Sequence, residues 1–315
     1  MARKKKMTRT QAREFPATSY VRGAVFGLGA VSIWAGNIVV AGLGLRSSLT
    51  PWDITAIRFA VAGLVLLPFL LRWGLAWDRL GWLGVAALVV GGAPTVALAN
   101  AGLLFAPASH AGALFPGVMP LMVAVLSAVM LKETFTAQKK FGFVFIAAGI
   151  GGIVWGNGGT IGTAQTVGHL LFLAAALAFA CYTVVMRWAR LDGLHAAAIS
   201  AVGSMVLYLP PYAIWSGDDL FSATWDAIAL QGLVQGLLTA VVSYVVYGRA
   251  VSILGASSGA AFAASCPVMT ALMAIPVLGE WPSGIEWAAI ALISAGVYAV
   301  GGGPLPRARK VITTP

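Results

Sequence analysis

The chain has 315 residues, of which 59% are hydrophobic and only 10% are charged, with a mean hydropathy of +0.89. A soluble domain carries about a quarter charged residues, so this composition excludes an ordinary soluble protein and indicates one that faces lipid along most of its length. The formal net charge of +10 does not indicate nucleic-acid binding, because no soluble stretch carries a basic stripe with interleaved aromatic residues.

Runs without charged residues predict ten membrane-spanning helices, because about 20 apolar residues cross the hydrocarbon core of a bilayer. The runs 80–131 and 141–186 are each long enough for two spans and break at turn-rich stretches. The short run 59–71 becomes a span if its helix starts near Pro51 and takes in Arg58. The predicted spans cover residues 22–44, 52–72, 80–104, 108–131, 138–156, 166–188, 195–215, 226–249, 255–279 and 284–303.

The basic residues predict the orientation of these spans, since Lys and Arg of short loops stay on the cytoplasmic side. With the N-terminus inside, all of the 20 Lys and Arg residues except Arg46 and Arg58 lie on that side. Both termini are then cytoplasmic, and residues 1–21 form a basic arm that touches anionic membrane lipid. The acidic residues expected on the outer side are Asp53, Asp218, Asp219, Asp226, Glu280 and Glu286.

Two stretches 147 positions apart, residues 111–156 and 258–303, read as copies of each other. A five-helix unit used twice must enter the membrane the opposite way up the second time, so the sequence predicts two inverted repeats. The matching pairs include Gly112/Gly259, Phe115/Phe262, Pro120/Pro267, Leu131/Leu278, Glu133/Glu280 and Gly149/Gly296. The predicted domains are the arm 1–21, the first repeat 22–156, an external linker 157–165, the second repeat 166–303 and a cytoplasmic tail 304–315.

Three features of the sequence resemble the drug/metabolite transporter superfamily, EamA type. They are the segment 32–37 (Ser-Ile-Trp-Ala-Gly-Asn), the start of the second span with Pro51 and Arg58-Phe59, and the duplicated proline-to-glutamate stretches 120–133 and 267–280. The resemblance covers residues 22–303, and within the superfamily the chain is most similar to bacterial aromatic amino acid exporters. It implies an all-α fold of ten helices, with two inverted five-helix repeats around a central cavity. It also implies export of small metabolites across the bacterial inner membrane by alternating access.

One position departs from the repeat: the second copy has Tyr182 where the first has Asn37. If both positions face the cavity, its two sides differ in chemistry. This favours an asymmetric organic solute over a symmetric ion.

Polar residues at mid-depth are the candidates for substrate contact, because an unsatisfied polar group in hydrocarbon costs several kcal/mol. In the eighth span they recur every fourth residue, which on an α-helix winds by about 40° per step around one side. Hydrogen bonding between helices is the alternative for this stripe, and ordinary packing is the alternative for the other positions. The stripe contains Gln231, Gln235, Thr239, Ser243 and Tyr247. The other candidates are Trp34, Asn37, Thr95, Asn100, Tyr182, Ser265 and Thr270.

Pro120 and Pro267 occupy equivalent positions in the two repeats and are predicted to kink their helices beside the cavity. The alternative is that proline is simply more frequent in membrane helices.

Charged and titratable residues inside the spans are few. Arg58 is the one deep charge, and it is expected to snorkel outward, to pair with Asp53 or to meet a substrate carboxylate. His110 and His169 are predicted near outer helix ends, where solvation at the level of the lipid headgroups accounts for them. The two cysteines and the three histidines show no metal-ligand spacing, so no cofactor and no metal are expected.

An enzyme is not expected. The segment 255–259 (Gly-Ala-Ser-Ser-Gly) matches a hydrolase nucleophile pattern, but that pattern needs a strand before a helix in an α/β sheet. The sequence therefore predicts an inner-membrane exporter of amino acids, aromatic and other neutral ones, and of related small metabolites. The alternative is a multidrug or other small-solute exporter of the same fold.

Overall fold

The computed structural model describes residues 17–155, 164–215, 219–254 and 262–302. Most of the predicted arm, linker and tail lies outside these ranges, as does the segment 255–259. Every regular element in the described residues is helical. The main helices are α1 (Ala17–Arg46), α2 (Pro51–Trp73), α3 (Trp77–Gly102), α4 (Ala108–Met130), α5 (Ala137–Trp155), α6 (Ala164–Trp188), α7 (Gly193–Trp215), α8 (Trp225–Leu254), α9 (Cys266–Leu278) and α10 (Gly284–Val300).

Eight of these helices are long and apolar enough to cross a membrane, and α9 and α10 are shorter apolar helices. The all-helical membrane fold is therefore confirmed for the described residues. A full count of ten crossings stays a prediction, because α9 has 13 residues and α10 has 17, against about 20 for a typical span.

Two helices begin with the same local chemistry. At the start of α2, Asp53 N donates to Thr50 Oγ1 at 3.2 Å, and Thr50 N donates to Asp53 Oδ2 at 2.7 Å. At the start of α10, Ser283 and Glu286 form the equivalent reciprocal pair. Such capping boxes satisfy backbone N–H groups that have no partner inside the helix, and a cap contributes about 1 kcal/mol.

The packing partners of the helices follow a two-fold pattern. Each helix of the first half has its counterpart five helices later, so α6 corresponds to α1. α1 packs against α8 and α9, and α6 packs against α3 and α4, which are the counterparts of α8 and α9. Three further helices each pack against their own counterpart, in the pairs α2–α7, α4–α9 and α5–α10. This is the contact pattern that two structurally equivalent halves produce.

Glycine allows the closest of these approaches, between α5 and α10. A Cβ atom on Gly296 would lie 2.6 Å from the carbonyl oxygen of Gly142, and one on Gly149 would lie 2.5 Å from Ile293. Small residues let membrane helices pack backbone against backbone, so the two helices are held by direct main-chain contact.

Breaks or distortions occur within or next to four of the described helices, and these helices form two pairs of counterparts. α3 breaks at Gly91–Gly92, while its counterpart α8 is a π-helix over Gly232–Val242. α4 breaks at residues 115–118 and α9 is preceded by a break at Ser265.

Pro120 and Pro267 each stand at the start of the helical segment that follows a break. The first four N–H groups of a helix have no partner within it, so these prolines remove no helical hydrogen bond. The sequence analysis expected each proline to kink its helix beside the cavity. Their role as bending points stays a prediction.

Candidate functional site

Four polar side chains from three helices meet inside the membrane region. The Nη1 atom of Arg58 donates to Asn37 Oδ1 and to Gln235 Oε1, both at 3.1 Å. Gln235 Nε2 donates to the backbone carbonyl oxygen of Asn37 at 3.0 Å, and Thr239 Oγ1 lies 3.2 Å from the side-chain oxygen Oδ1 of Asn37. We refer to Asn37, Arg58, Gln235 and Thr239 as the polar cluster. It links α1, α2 and α8.

The π-helical part of α8 places two members of this cluster. Its hydrogen bonds run from residue i to i+5 and widen each turn, and the Thr239 hydroxyl donates to the Val234 carbonyl five residues earlier at 2.7 Å. The predicted winding of 40° per step assumed an α-helix and does not apply to Gly232–Val242. π-helical turns occur frequently at functional sites.

Arg58 brings a positive charge into this cluster. Its side chain is half-buried, and Gln235 is 1% exposed. Asp53 was one of the partners expected for Arg58. Its carboxylate accepts hydrogen bonds from Thr50 N at 2.7 Å and from Tyr212 Oη at 2.5 Å. An ionised side chain in a membrane span is expensive and marks a functional site by default.

An aromatic pair lies next to the polar cluster on the same two helices. The rings of Trp34 on α1 and Tyr247 on α8 have centroids 5.0 Å apart and planes inclined at 52°. Trp34 precedes Asn37 by one helical turn, and both aromatic side chains are half-buried. The site therefore has a cationic, amide-rich part and an aromatic part along the α1–α8 contact.

The remaining predicted site residues lie elsewhere. Thr95 donates to the Val90 carbonyl across the break in α3, and Asn100 donates to Thr55 Oγ1 on α2 at 3.3 Å. Tyr182 is buried in an apolar cluster of α3, α6 and α7, with its ring 5.1 Å from that of Phe179.

Three further hydroxyl groups donate to backbone carbonyls three or four residues earlier in the chain. Ser243 donates to Thr239 O, Ser265 donates to Phe262 O, and Thr270 donates to Cys266 O. The contacts of Ser265 and Thr270 fit the packing alternative, and the role of Ser243 in the cavity stays a prediction.

One pocket lies at the α1–α8 contact near the end of α1. Its volume is about 270 Å³, and it is bordered by an arginine, an aspartate and Gln231, whose Oε1 atom is buried without a hydrogen-bond partner. The central cavity expected from the sequence stays a prediction. The lining residues are Leu43, Gly44, Arg46, Ser47, Asp226, Ala227, Leu230 and Gln231.

The sequence analysis misjudged two histidines. His110 and His169 were expected to be solvated at headgroup level, but they are 0% and 5% exposed. His110 Nδ1 lies 2.9 Å from His169 Nε2, and His110 Nε2 lies 2.6 Å from Glu286 Oε1. No local pattern could have shown this, because 59 positions separate the two histidines and 176 separate His110 from Glu286.

The two halves of the chain both match one known family. The model of the EamA-like transporter family matches residues 21–155 and again residues 166–302. The chain belongs to this family. It is therefore a multi-pass membrane transporter built from two EamA repeats, and transporters of this family are generally not enzymes.

Its relatives are transporters too. It is 28% identical to the uncharacterized inner membrane transporter YedA of Escherichia coli (strain K12), over 88% of this chain and 89% of YedA. It is 23% identical to the uncharacterized transporter YetK of Bacillus subtilis (strain 168), over 88% and 86%. A match to YyaM, an uncharacterized transporter of the same B. subtilis strain, is 27% identical but spans only 56% of YyaM.

A crystal structure of a protein 19% identical to this chain shares its fold. The TM-score is 0.55, with 88% of this chain and 94% of the other covered. None of these likenesses states a substrate, so the similarity to aromatic amino acid exporters stays a prediction.

Proposed function

We propose that this EamA-family transporter exports zwitterionic metabolites, above all neutral amino acids with aromatic ones first, by alternating access. The observation that carries the proposal is the polar cluster beside the aromatic pair. A guanidinium group is the preferred partner of a carboxylate, and Arg58 places one between the amides of Asn37 and Gln235. The substrate carboxylate would take up hydrogen bonds now made to those amide oxygens.

The aromatic pair supports the preference for aromatic side chains. Rings at 5.0 Å in a tilted arrangement offer faces and edges on which a further ring can pack. Trp34 lies one turn from Asn37, so a substrate of amino acid size would reach both parts of the site at once. A phosphorylated substrate fits less well, because two phosphate charges call for several cations, and the polar cluster contains one.

Counterflow in proteoliposomes tests this proposal. Vesicles loaded with unlabelled solute are diluted into labelled phenylalanine, labelled threonine or an amphipathic cationic dye. We expect labelled phenylalanine to accumulate fastest and threonine more slowly. Accumulation of the dye alone would reject amino acid export and favour a multidrug exporter.

The orientation is part of the same proposal, with both termini cytoplasmic in the inner membrane of a bacterium. The positive charge of the expected inner loops supports it. Reporter fusions test it: a fluorescent protein that matures only in the cytoplasm should fluoresce at the C-terminus, and alkaline phosphatase should be inactive there. An active phosphatase would reject the inverted second repeat.

A further inference from the structure

Glu286, His110 and His169 form a buried row that none of the substrate contacts above uses. The row joins α10, α4 and α6, with the ring of His110 between the other two side chains. Glu286 is 6% exposed, and its other oxygen accepts from Ser283 N at 2.5 Å. Ionisable side chains held this far from water inside a membrane protein mark proton or ion pathways.

The partners of each nitrogen fix how protons are arranged in the row. His110 Nε2 faces a carboxylate at 2.6 Å, so it carries a hydrogen and donates it. In a neutral His110 the Nδ1 atom is then an acceptor, and His169 Nε2 must donate to it across 2.9 Å. Gln165 Nε2, at 3.4 Å, points at the same Nδ1 atom. With both imidazoles neutral and Glu286 ionised, the row carries one negative charge.

One more proton can be accommodated without breaking either contact. It is taken up at the second nitrogen of His169, a residue that is 5% exposed, and the hydrogen between the two rings can then shift to His110. A second added proton would put two N–H groups face to face across 2.9 Å. The two imidazoles therefore accept one proton, and the charge of the row changes from minus one to zero. A metal ion would need ligands that converge on one point, whereas the two partners of His110 lie on opposite edges of its ring.

The surroundings contain few other charges. Glu280 accepts from Ala108 N at 2.7 Å, close to His110, and is itself paired with Arg46 of α1. The neighbouring α5 and α9 contribute apolar residues of the surrounding buried cluster, such as Ile153 and Ala274. Among such apolar residues, a change of one charge has a large effect on the interaction energy between Glu286, His110 and His169.

We propose that this row binds one exchangeable proton and that its protonation is coupled to transport. α4 belongs to the first repeat, and α6 and α10 belong to the second, so a motion of one repeat against the other moves His110 away from His169 and Glu286. Proton affinity then differs between the closed and open states, and by linkage the proton shifts the balance between them. The transport part of this inference rests on the proposed function; the proton site does not.

Histidine NMR tests the site directly. The chain has only three histidines, so spectra of the full-length protein labelled with 15N-histidine in detergent contain three imidazoles. The matched control is His195→Gln, because His195 bonds to the Gly74 carbonyl on an exposed surface. In wild type we expect the signals of His110 and His169 to change together in one step as the pH is lowered. We expect Glu286→Gln, which keeps an acceptor for Ser283 N, to move that step to lower pH because His110 loses its negatively charged partner, and His195→Gln to leave it unchanged. Independent titration of the two rings, or no titration at any pH at which the protein stays folded, would overturn the site.

Flux measurements test the coupling and separate it from the proposed function. In proteoliposomes with pyranine inside, we expect solute flux to move protons and a pH gradient to speed flux by about fivefold or more. In His169→Gln and Glu286→Gln we expect this stimulation to vanish while counterflow at equal pH persists. Active counterflow with no proton movement in wild type would overturn the coupling alone, whereas absent counterflow for every solute would contradict the proposed function.

Discussion

The Nη2 atom of Arg46 donates to Oε1 of Glu280 at 2.9 Å, which ties the end of α1 to the segment that follows α9. Arg46 also donates to the Leu278 carbonyl, and the second carboxylate oxygen of Glu280 accepts from Ala108 N. One acidic residue therefore connects the end of α1, the end of α9 and the beginning of α4.

The repeat-equivalent glutamate forms the corresponding contact. Glu133 follows α4 and accepts from Arg187 Nη2 at 2.5 Å. Arg46 and Arg187 each lie in the last turn of the first helix of their own half. Each therefore pairs with the glutamate that follows the fourth helix of the other half. In the proposed inverted arrangement these ion pairs close opposite ends of the bundle.

Reversing one of these charges should impair transport more than folding. Both partners of the Glu133–Arg187 pair are partly exposed, at 34% and 43%, so the pair contributes at most about 1 kcal/mol to stability. We expect Arg187→Glu to slow flux and the double variant Arg187→Glu/Glu133→Arg to regain part of it, with thermal midpoints close to wild type. The control is Arg79→Glu, since Arg79 pairs with its chain neighbour Asp78. Wild-type flux in Arg187→Glu would show that the pair does not gate transport.

Arg58→Lys should weaken binding of a carboxylate substrate although it keeps the charge. An ammonium group lacks the planar fork of a guanidinium and cannot reproduce its paired contacts in one geometry. We expect the KM for phenylalanine counterflow to rise by about tenfold, the size expected for the loss of one charge-assisted hydrogen bond. Arg72→Lys, in the exposed last turn of the same helix, is the matched control. An unchanged KM in Arg58→Lys would remove Arg58 from the substrate site.

A bulky residue at position 239 should block transport without preventing membrane insertion. Thr239 is 9% exposed and contacts Asn37, whereas Leu233 on the same helix is 50% exposed. We expect Thr239→Phe to abolish counterflow and Leu233→Phe to retain it, with equal amounts of both proteins recovered from the membrane. Normal flux through Thr239→Phe would mean that this face of α8 does not line the substrate path.

The sequence predicted the helices well and the site only in part. Charge-free runs located the helices because the bilayer requires apolar length, and this requirement is local. The fourfold spacing on α8 led to Gln235 and Thr239, which do meet Asn37. Repeat equivalence paired Tyr182 with Asn37 as two positions that differ in chemistry if both face the cavity, and packing against α3 and α7 places Tyr182 among apolar residues. Contacts between distant helices, such as that between His110 and Glu286, depend on helix packing that no local pattern encodes.

The contact between α5 and α10 should be sensitive to a single methyl group. A Cβ atom at position 296 would lie 2.6 Å from a backbone oxygen of Gly142 and 2.9 Å from the backbone nitrogen of Ile146, and neither of these atoms can move without shifting α5. We expect Gly296→Ala to lower stability by about 1–3 kcal/mol, as overpacking does, and to lower the thermal midpoint in detergent. Gly151→Ala is the matched control, because a Cβ at this α5 position meets no atom within 4 Å. That variant should be neutral or slightly stabilising, since alanine favours a helix over glycine by about 1 kcal/mol. Equal midpoints for the two variants would mean that α5 and α10 are not in direct main-chain contact.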